Sequence, residues 1–216
     1  MRLVVPLALV STVVVGALSL GGSASGQQPI RPADGAAHTT RIVVRPVTGH
    51  GHAAAGWTVT RERGSRVDCQ GSSPAAVDPN IWTCFPTAEY AVSCWRSHHH
   101  TVLCLRDARV KRLVRLRWTG TLAPVSPPHR PSPQDLVIGR SQPCQIRIGG
   151  AWATLPTHPH WSGYYSCTHG DVYGPTPGDG VNRSTQPWTV RLWKSGTDHH
   201  VVVRPVRTAY YVGTRG

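Results

Sequence analysis

The densest charge in the chain runs from Arg106 to Arg117, where Arg106, Arg109, Lys111, Arg112, Arg115 and Arg117 have only Asp107 to balance them. Guanidinium groups keep their charge and grip carboxylate, sulfate or phosphate oxygens through paired N–H donors. Arg109, Lys111, Arg112, Arg115 and Arg117 are therefore the candidate binding strip. If the segment is a strand, Lys111, Arg115 and Arg117 share one face. The competing reading is an ordinary solvated strand face.

Histidine offers the second chemistry. Neither a regular strand nor a helix can aim His98, His99 and His100 at one ion, so this run reads as a solvated turn. His158 and His160 lie two apart, on one face of an extended segment, with His169 and Asp171 downstream as further ligand types. Pro156 and Pro159 mark that segment as irregular, so these residues read as exposed loop. No metal ligand and no cofactor is assigned.

Hydrolase and nucleotide signatures are missing: the chain has no GxSxG, HExxH, P-loop or GxGxxG. Glutamate is limited to Glu62 and Glu89. A nuclease built from His169 and Asp171 with Arg147 or Arg183 is chemically conceivable, but no spacing singles those residues out. No catalytic residue is assigned, and an enzyme is the less favoured class.

Eight tryptophans stand against one phenylalanine and one methionine. Trp57, Trp95, Trp118, Trp152 and Trp188 adjoin predicted elements and are expected in the core. Trp82, Trp161 and Trp193 are expected to be partly exposed, and Trp161 and Trp193 could stack on sugar rings or arginine.

Positioning these groups begins with export. Arg2 followed by the apolar run Leu3–Leu20 and the small residues Gly21–Gly26 has the form of a secretory signal peptide over residues 1–26. An uncleaved anchor is the alternative, since 18 apolar residues sit at the lower limit for crossing a bilayer. No later apolar run suggests a span. Cys69, Cys84, Cys94, Cys104, Cys144 and Cys167 form an even set with no CxxC, which in an exported chain reads as disulfides rather than zinc ligands. Cys144 with Cys167 is the expected C-terminal bridge. Among the other four, Cys69–Cys84 with Cys94–Cys104 is favoured over the two remaining pairings. Lysine plus arginine exceed aspartate plus glutamate by 23 to 10, a net charge of +13, which draws an exported protein toward anionic surfaces. Only Lys111 and Lys194 of those cations are lysine.

Residues 27–56 read as a partly mobile segment with one short strand, Arg41–Val47, whose Pro46 favours a sheet edge. Residues 57–120 form an N-terminal lobe with strands at 57–63, 101–106 and 109–118, although Val110, Leu113 and Val114 in the last also fit a helix stripe. A short helix is expected over Pro86–Trp95, with Thr87 as its cap and Glu89 in its first turn. Five prolines between Thr121 and Gln134 read as a semi-rigid linker over 121–134. Residues 135–216 form a second lobe, with strand candidates at 135–140, 144–148, 163–169, 187–194, 199–207 and 209–213. The fold class is mainly β with one short helix, arranged as two small disulfide-stabilised lobes. Trp188-Thr-Val190 repeats Trp57-Thr-Val59, and Val202–Val206 repeats Val43–Val47. The fragments recur in reversed order, so they are not a tandem duplication.

Cys144-Gln-Ile-Arg-Ile-Gly-Gly-Ala-Trp152, Gly163-Tyr-Tyr-Ser-Cys167 and Asn182-Arg-Ser-Thr-Gln-Pro-Trp-Thr-Val190 resemble an uncharacterised family of exported actinobacterial, notably mycobacterial, proteins. Ser93-Cys-Trp95, Val102–Asp107 and Thr208–Tyr211 are similar to it too, so the likeness covers about residues 57 to 213. The resemblance implies secretion and bridged cysteines, and it carries over no catalytic residue. The expected function is a non-enzymatic extracellular or cell-envelope protein that binds an anionic polymer or protein partner. No specific nucleic acid is expected. A secreted hydrolase or nuclease is one alternative, and an inhibitor-like protein presenting a braced loop at 70–83 is another.

Overall fold

The protein is described by a computed structural model covering residues 38–86, 91–194 and 200–216, without the side chains of 63–65. The expected signal peptide, the rest of the 27–37 segment, and the helix positions Thr87 and Glu89 lie outside the described residues.

Thirteen strands and no helix make up the described chain. β2 (Thr58–Ser72), β3 (Trp82–Phe85), β4 (Cys94–Ser97), β5 (Thr101–Asp107) and β6 (Arg112–Thr119) form a closed barrel, in which β2 and β6 meet in parallel. The second sheet runs β1 (Thr40–Thr48), β13 (Val201–Arg215), β7 (Asp135–Ile138), β8 (Gln142–Ile146), β9 (Trp161–Cys167), β10 (Gly170–Pro175), β12 (Thr189–Trp193), β11 (Val181–Asn182). β12 also pairs with β13 through Leu192↔Val202 and its neighbours, which closes this sheet on itself. Closure leaves few edges exposed to pairing with other chains.

The expected helix is corrected in its described part. Ala91 to Trp95 are all buried, and Cys94 and Trp95 pair with Cys104 and Leu103. Interior barrel packing and a cross-strand bridge override the weak helical preference of Ala91-Val92-Ser93. The strand at 40–48 belongs to the second sheet, parallel to β13, with Ile42 opposite Tyr210. Pro46 falls in the register break between Val44 and Val47 of this outermost strand, where its missing N–H removes no ladder bond.

All three bridges join directly opposed residues on neighbouring antiparallel strands: Cys69–Cys84, Cys94–Cys104 and Cys144–Cys167. The first two lie side by side in the barrel interior with Val67, Val102, Val114 and Leu116. Cys84, Cys94 and Cys104 gather their sulfurs within 4.8 Å there, but all three are spent in bridges.

The proline-rich segment 121–134 lies along the barrel. Trp82 Nε1 donates to the Ala123 carbonyl, Asn80 N to Val125 O, and Ser132 N to Pro74 O. Behind it, Val47 and Val212 of the second sheet pack with Trp95, Leu103, Leu105 and Leu113 of the barrel. A buried chain of hydrogen bonds, Ser73 Oγ to Ser93 Oγ and on to Gln134 Oε1, crosses the same seam. The sheets thus share one apolar layer, and Asp34–Gly216 form a single compact unit.

The Cys144–Cys167 bridge closes a 23-residue separation, for which lost unfolded-chain entropy stabilises by about 3 kcal/mol. The double variant Cys144→Ala/Cys167→Ala is expected to lose about that much in urea unfolding, with its far-ultraviolet circular dichroism unchanged.

Candidate functional site

On β6 the side chains alternate. Val114 and Leu116 enter the barrel, Leu113 enters the seam between the sheets, and Arg115 and Arg117 are left on the outer face. β2 lies beside β6, and its register sets Arg61 against Arg115 and Arg66 against Arg117. Registered neighbours on paired strands share a face, and like charges so placed repel. Two arginine pairs are therefore stacked along one parallel seam.

The turn between β4 and β5 forms the third wall. His98, His99 and His100 bridge Ser97 and Thr101, with His99 and His100 in the left-handed region at φ 55° and 52°. Histidine tolerates this region better than most residues. Thr101 caps the turn, its Oγ1 donating to the His98 carbonyl at 2.6 Å. Arg115 Nη1 reaches Ser97 Oγ and Thr101 Oγ1, each at 3.1 Å, so its guanidinium is held in place by neutral hydroxyls.

These groups line a cleft of about 800 Å³ formed by Arg61, Glu62, Arg66, His98, His99, Thr101, Arg115, Leu116 and Arg117. Glu62 is its one carboxylate and pairs with Arg106 at 3.3 Å. Among the described residues, no carboxylate pairs with Arg61, Arg66, Arg115 or Arg117. Four cations in a cleft whose single carboxylate pairs with Arg106 favour an anionic occupant.

The strip expected from sequence is divided by the fold. Arg115 and Arg117 stand in the cleft. Arg112 is exposed on β6 but alternates with the other set, opposite Thr58 and Asp107. Lys111 ends the β5–β6 turn at φ 53° and so leaves the shared face proposed for it. Arg109 lies in that turn and pairs with Asp107 at 3.2 Å. Arg61 and Arg66, absent from the sequence strip, take their place because of the parallel closure.

The aromatic candidates also separate. Trp161 is half-buried and contacts both His158, with ring centroids 3.9 Å apart, and the Arg191 guanidinium at 5.1 Å. Trp193 is buried, not exposed: it meets Tyr173 edge-on at 5.6 Å and packs on Leu155. Trp82 is buried as well, behind the proline-rich segment. Gly163 makes room for Trp152, since a Cβ there would lie 2.1 Å from the indole ring. Of the arginines in the conceivable nuclease set, Arg147 stacks on Trp152 at 4.7 Å and Arg183 pairs with Asp179. The 70–83 segment does not protrude: Ala75, Ala76 and Ile81 are fully buried, and Val77 N donates to Val212 O.

A smaller recess of about 190 Å³ holds Asp107, Arg109, Asp135, Gln145, Ser166 and Thr168. Asp135 is buried and its carboxylate accepts the Ala108 N–H at 3.0 Å, tying the β5–β6 turn to β7. Asp107 is occupied by the Arg109 and Val110 N–H groups. Burial pushes Asp135 from 3.8 up to about 7, aided by the Asp107 charge and opposed by the Ala108 hydrogen bond and Arg109. The arrangement is that of a neutral buried acid capping a turn.

In the unfolded chain Asp135 ionises near 3.8, while in the folded chain it keeps its proton up to about 7. Its contribution to stability is therefore full in acid and falls as pH rises through that window. Asp135→Asn should match the parent near pH 4 and exceed it above pH 7, by at most about 4 kcal/mol. Urea unfolding at the two pH values checks this. In comparisons with known proteins, no family model, no curated protein and no solved structure matches the chain.

Proposed function

We propose that the protein is a non-enzymatic, exported binding protein whose ligand is an anionic polymer of the cell envelope or extracellular space, seated in the Arg61–Arg66–Arg115–Arg117 cleft. The observation that carries this reading is the pair of registered arginine couples, which among the described residues have no carboxylate partner. Such an arrangement destabilises the empty protein slightly, and an anion relieves it. An open cleft of about 800 Å³ suits several repeating charges rather than one small ion.

Export is supported by the signal-like N-terminus and by three disulfides, which form and persist in oxidising compartments. The likeness to exported actinobacterial proteins supports it further. Among the described residues, no helix is long and apolar enough to cross a membrane. Trp161 is already covered by His158 and Arg191, so the aromatic contribution to binding is secondary.

Heparin serves as a linear polyanion probe. Arg66→Gln/Arg117→Gln should weaken its binding at least tenfold at low salt and reduce the slope of log affinity against log salt by about two, one for each contact removed. Arg109→Gln/Lys111→Gln should behave as the parent. Equal retention of the parent and the Arg66/Arg117 variant would remove the proposal.

A further inference from the structure

We infer that His52 and His98 form a binding site for one divalent transition-metal ion of the kind that seeks imidazole, copper(II) foremost. The two side chains come from loops 46 residues apart in sequence, and their Nε2 atoms lie 3.1 Å from one another. Two nitrogens bound at about 2.0–2.1 Å to one ion stand about 2.9 Å apart at a right angle and about 3.3 Å apart at a tetrahedral angle. The observed separation falls between these values. The rings are tilted by 43° with centroids 4.4 Å apart, so the nitrogens do not meet end to end along a common axis.

Backbone hydrogen bonds hold both loops before any ion arrives. After β1 the chain turns through Gly49–His52: Gly51 N donates to Thr48 O, Thr48 N to His52 O, and Gly49 N to Arg215 O, each at 2.9 Å. Gly51 has φ +78°, and a Cβ on it would lie 2.7 Å from the Arg96 carbonyl oxygen. Only glycine lets this loop press so closely on β4. Ser97 Oγ then donates to Gly51 O at 2.7 Å, fastening the His52 loop to the strand that leads into His98. On the other side, Thr101 fixes the His98 carbonyl.

Both imidazoles are exposed, so an ion can enter from water and complete its shell with water. Beside them lies a depression of about 530 Å³ lined by His50, His98, His99 and His100, which offers further nitrogen donors at its rim. Imidazole suits copper, nickel and zinc, with copper(II) binding most tightly. In the metal-free pair one Nε2 carries the hydrogen directed at the other. On binding, the ion takes that Nε2 and its proton passes through solvent to Nδ1 of the same ring, so two neutral imidazoles donate and no proton is released overall. The guanidinium of Arg96 lines the depression, but exposure to salt water screens its repulsion. All six cysteines are bridged, so no thiolate competes for the metal.

The test is titration of the full, oxidised chain with copper(II), followed by calorimetry and by electron paramagnetic resonance. We expect one tight equivalent with nitrogen coupling from two imidazoles. His52→Gln and His98→Gln should each weaken it at least tenfold, and His158→Gln should not. Nickel and zinc should follow the same pattern with lower affinity. Absence of saturable binding at sub-millimolar copper would overturn the inference. So would tight binding that survives either His52→Gln or His98→Gln, because the ion would then reside elsewhere. Heparin retention in the Arg66/Arg117 variant is read separately, so the metal site and the polyanion cleft can fail independently.

Discussion

Register is the constraint from which the rest of this structure follows. Each of the three disulfides joins residues that face each other across adjacent strands, and a strand that slipped by one residue would send every side chain to the opposite face. In the barrel, the Cys94–Cys104 bridge fixes β4 on β5, and β5 fixes β6 by placing Thr101 beside Arg117 and Leu103 beside Arg115. A covalent link made in the interior thus decides that Leu116 points inward and Arg115 outward. The basic cleft is a consequence of that choice on the outer surface.

The same closure that buries the core concentrates the charge. A five-stranded barrel must bring its first and last strands together, and here β2 and β6 meet in parallel with Arg61 beside Arg115 and Arg66 beside Arg117. Nothing in the packing of Val67, Val114 or Leu116 requires arginine on the outside. The local repulsion is tolerated where covalent and apolar contacts already determine the strand order, as expected of a site kept for binding rather than for stability. Asp135 shows the complementary solution: a carboxyl in the interior keeps its proton up to about pH 7 and caps a turn.

Much of the architecture was legible. The β class, the even cysteine set and the favoured bridges followed from short alternating segments, abundant turn residues and local spacing. Three features were hidden for physical reasons. Ala91–Trp95 is buried without alternation, so no period of two marked it as leading into a strand. β13 is one continuous strand, Val201–Arg215, where the sequence had suggested two, at 199–207 and 209–213; its first half pairs with β12 and its second with β1 and β7. Trp193 shares a strand face with the exposed Arg191, yet Tyr173 and Leu155 from other elements cover it. The candidate site was half visible. Arg115 and Arg117 stood out as local charge, whereas Arg61 and Arg66, like His52 beside His98, are brought in by contacts between distant segments that no local window contains.

The central claim is that the four arginines of the β2–β6 seam act together on one anionic chain. Its most direct test is nuclear magnetic resonance of the arginine Nε–Hε groups during titration with a short sulfated oligosaccharide. The signals of Arg61, Arg66, Arg115 and Arg117 should shift together along one saturation curve, while those of Arg204 and Arg207 stay still. Shifts spread evenly over all arginines, or confined to residues outside the cleft, would contradict it.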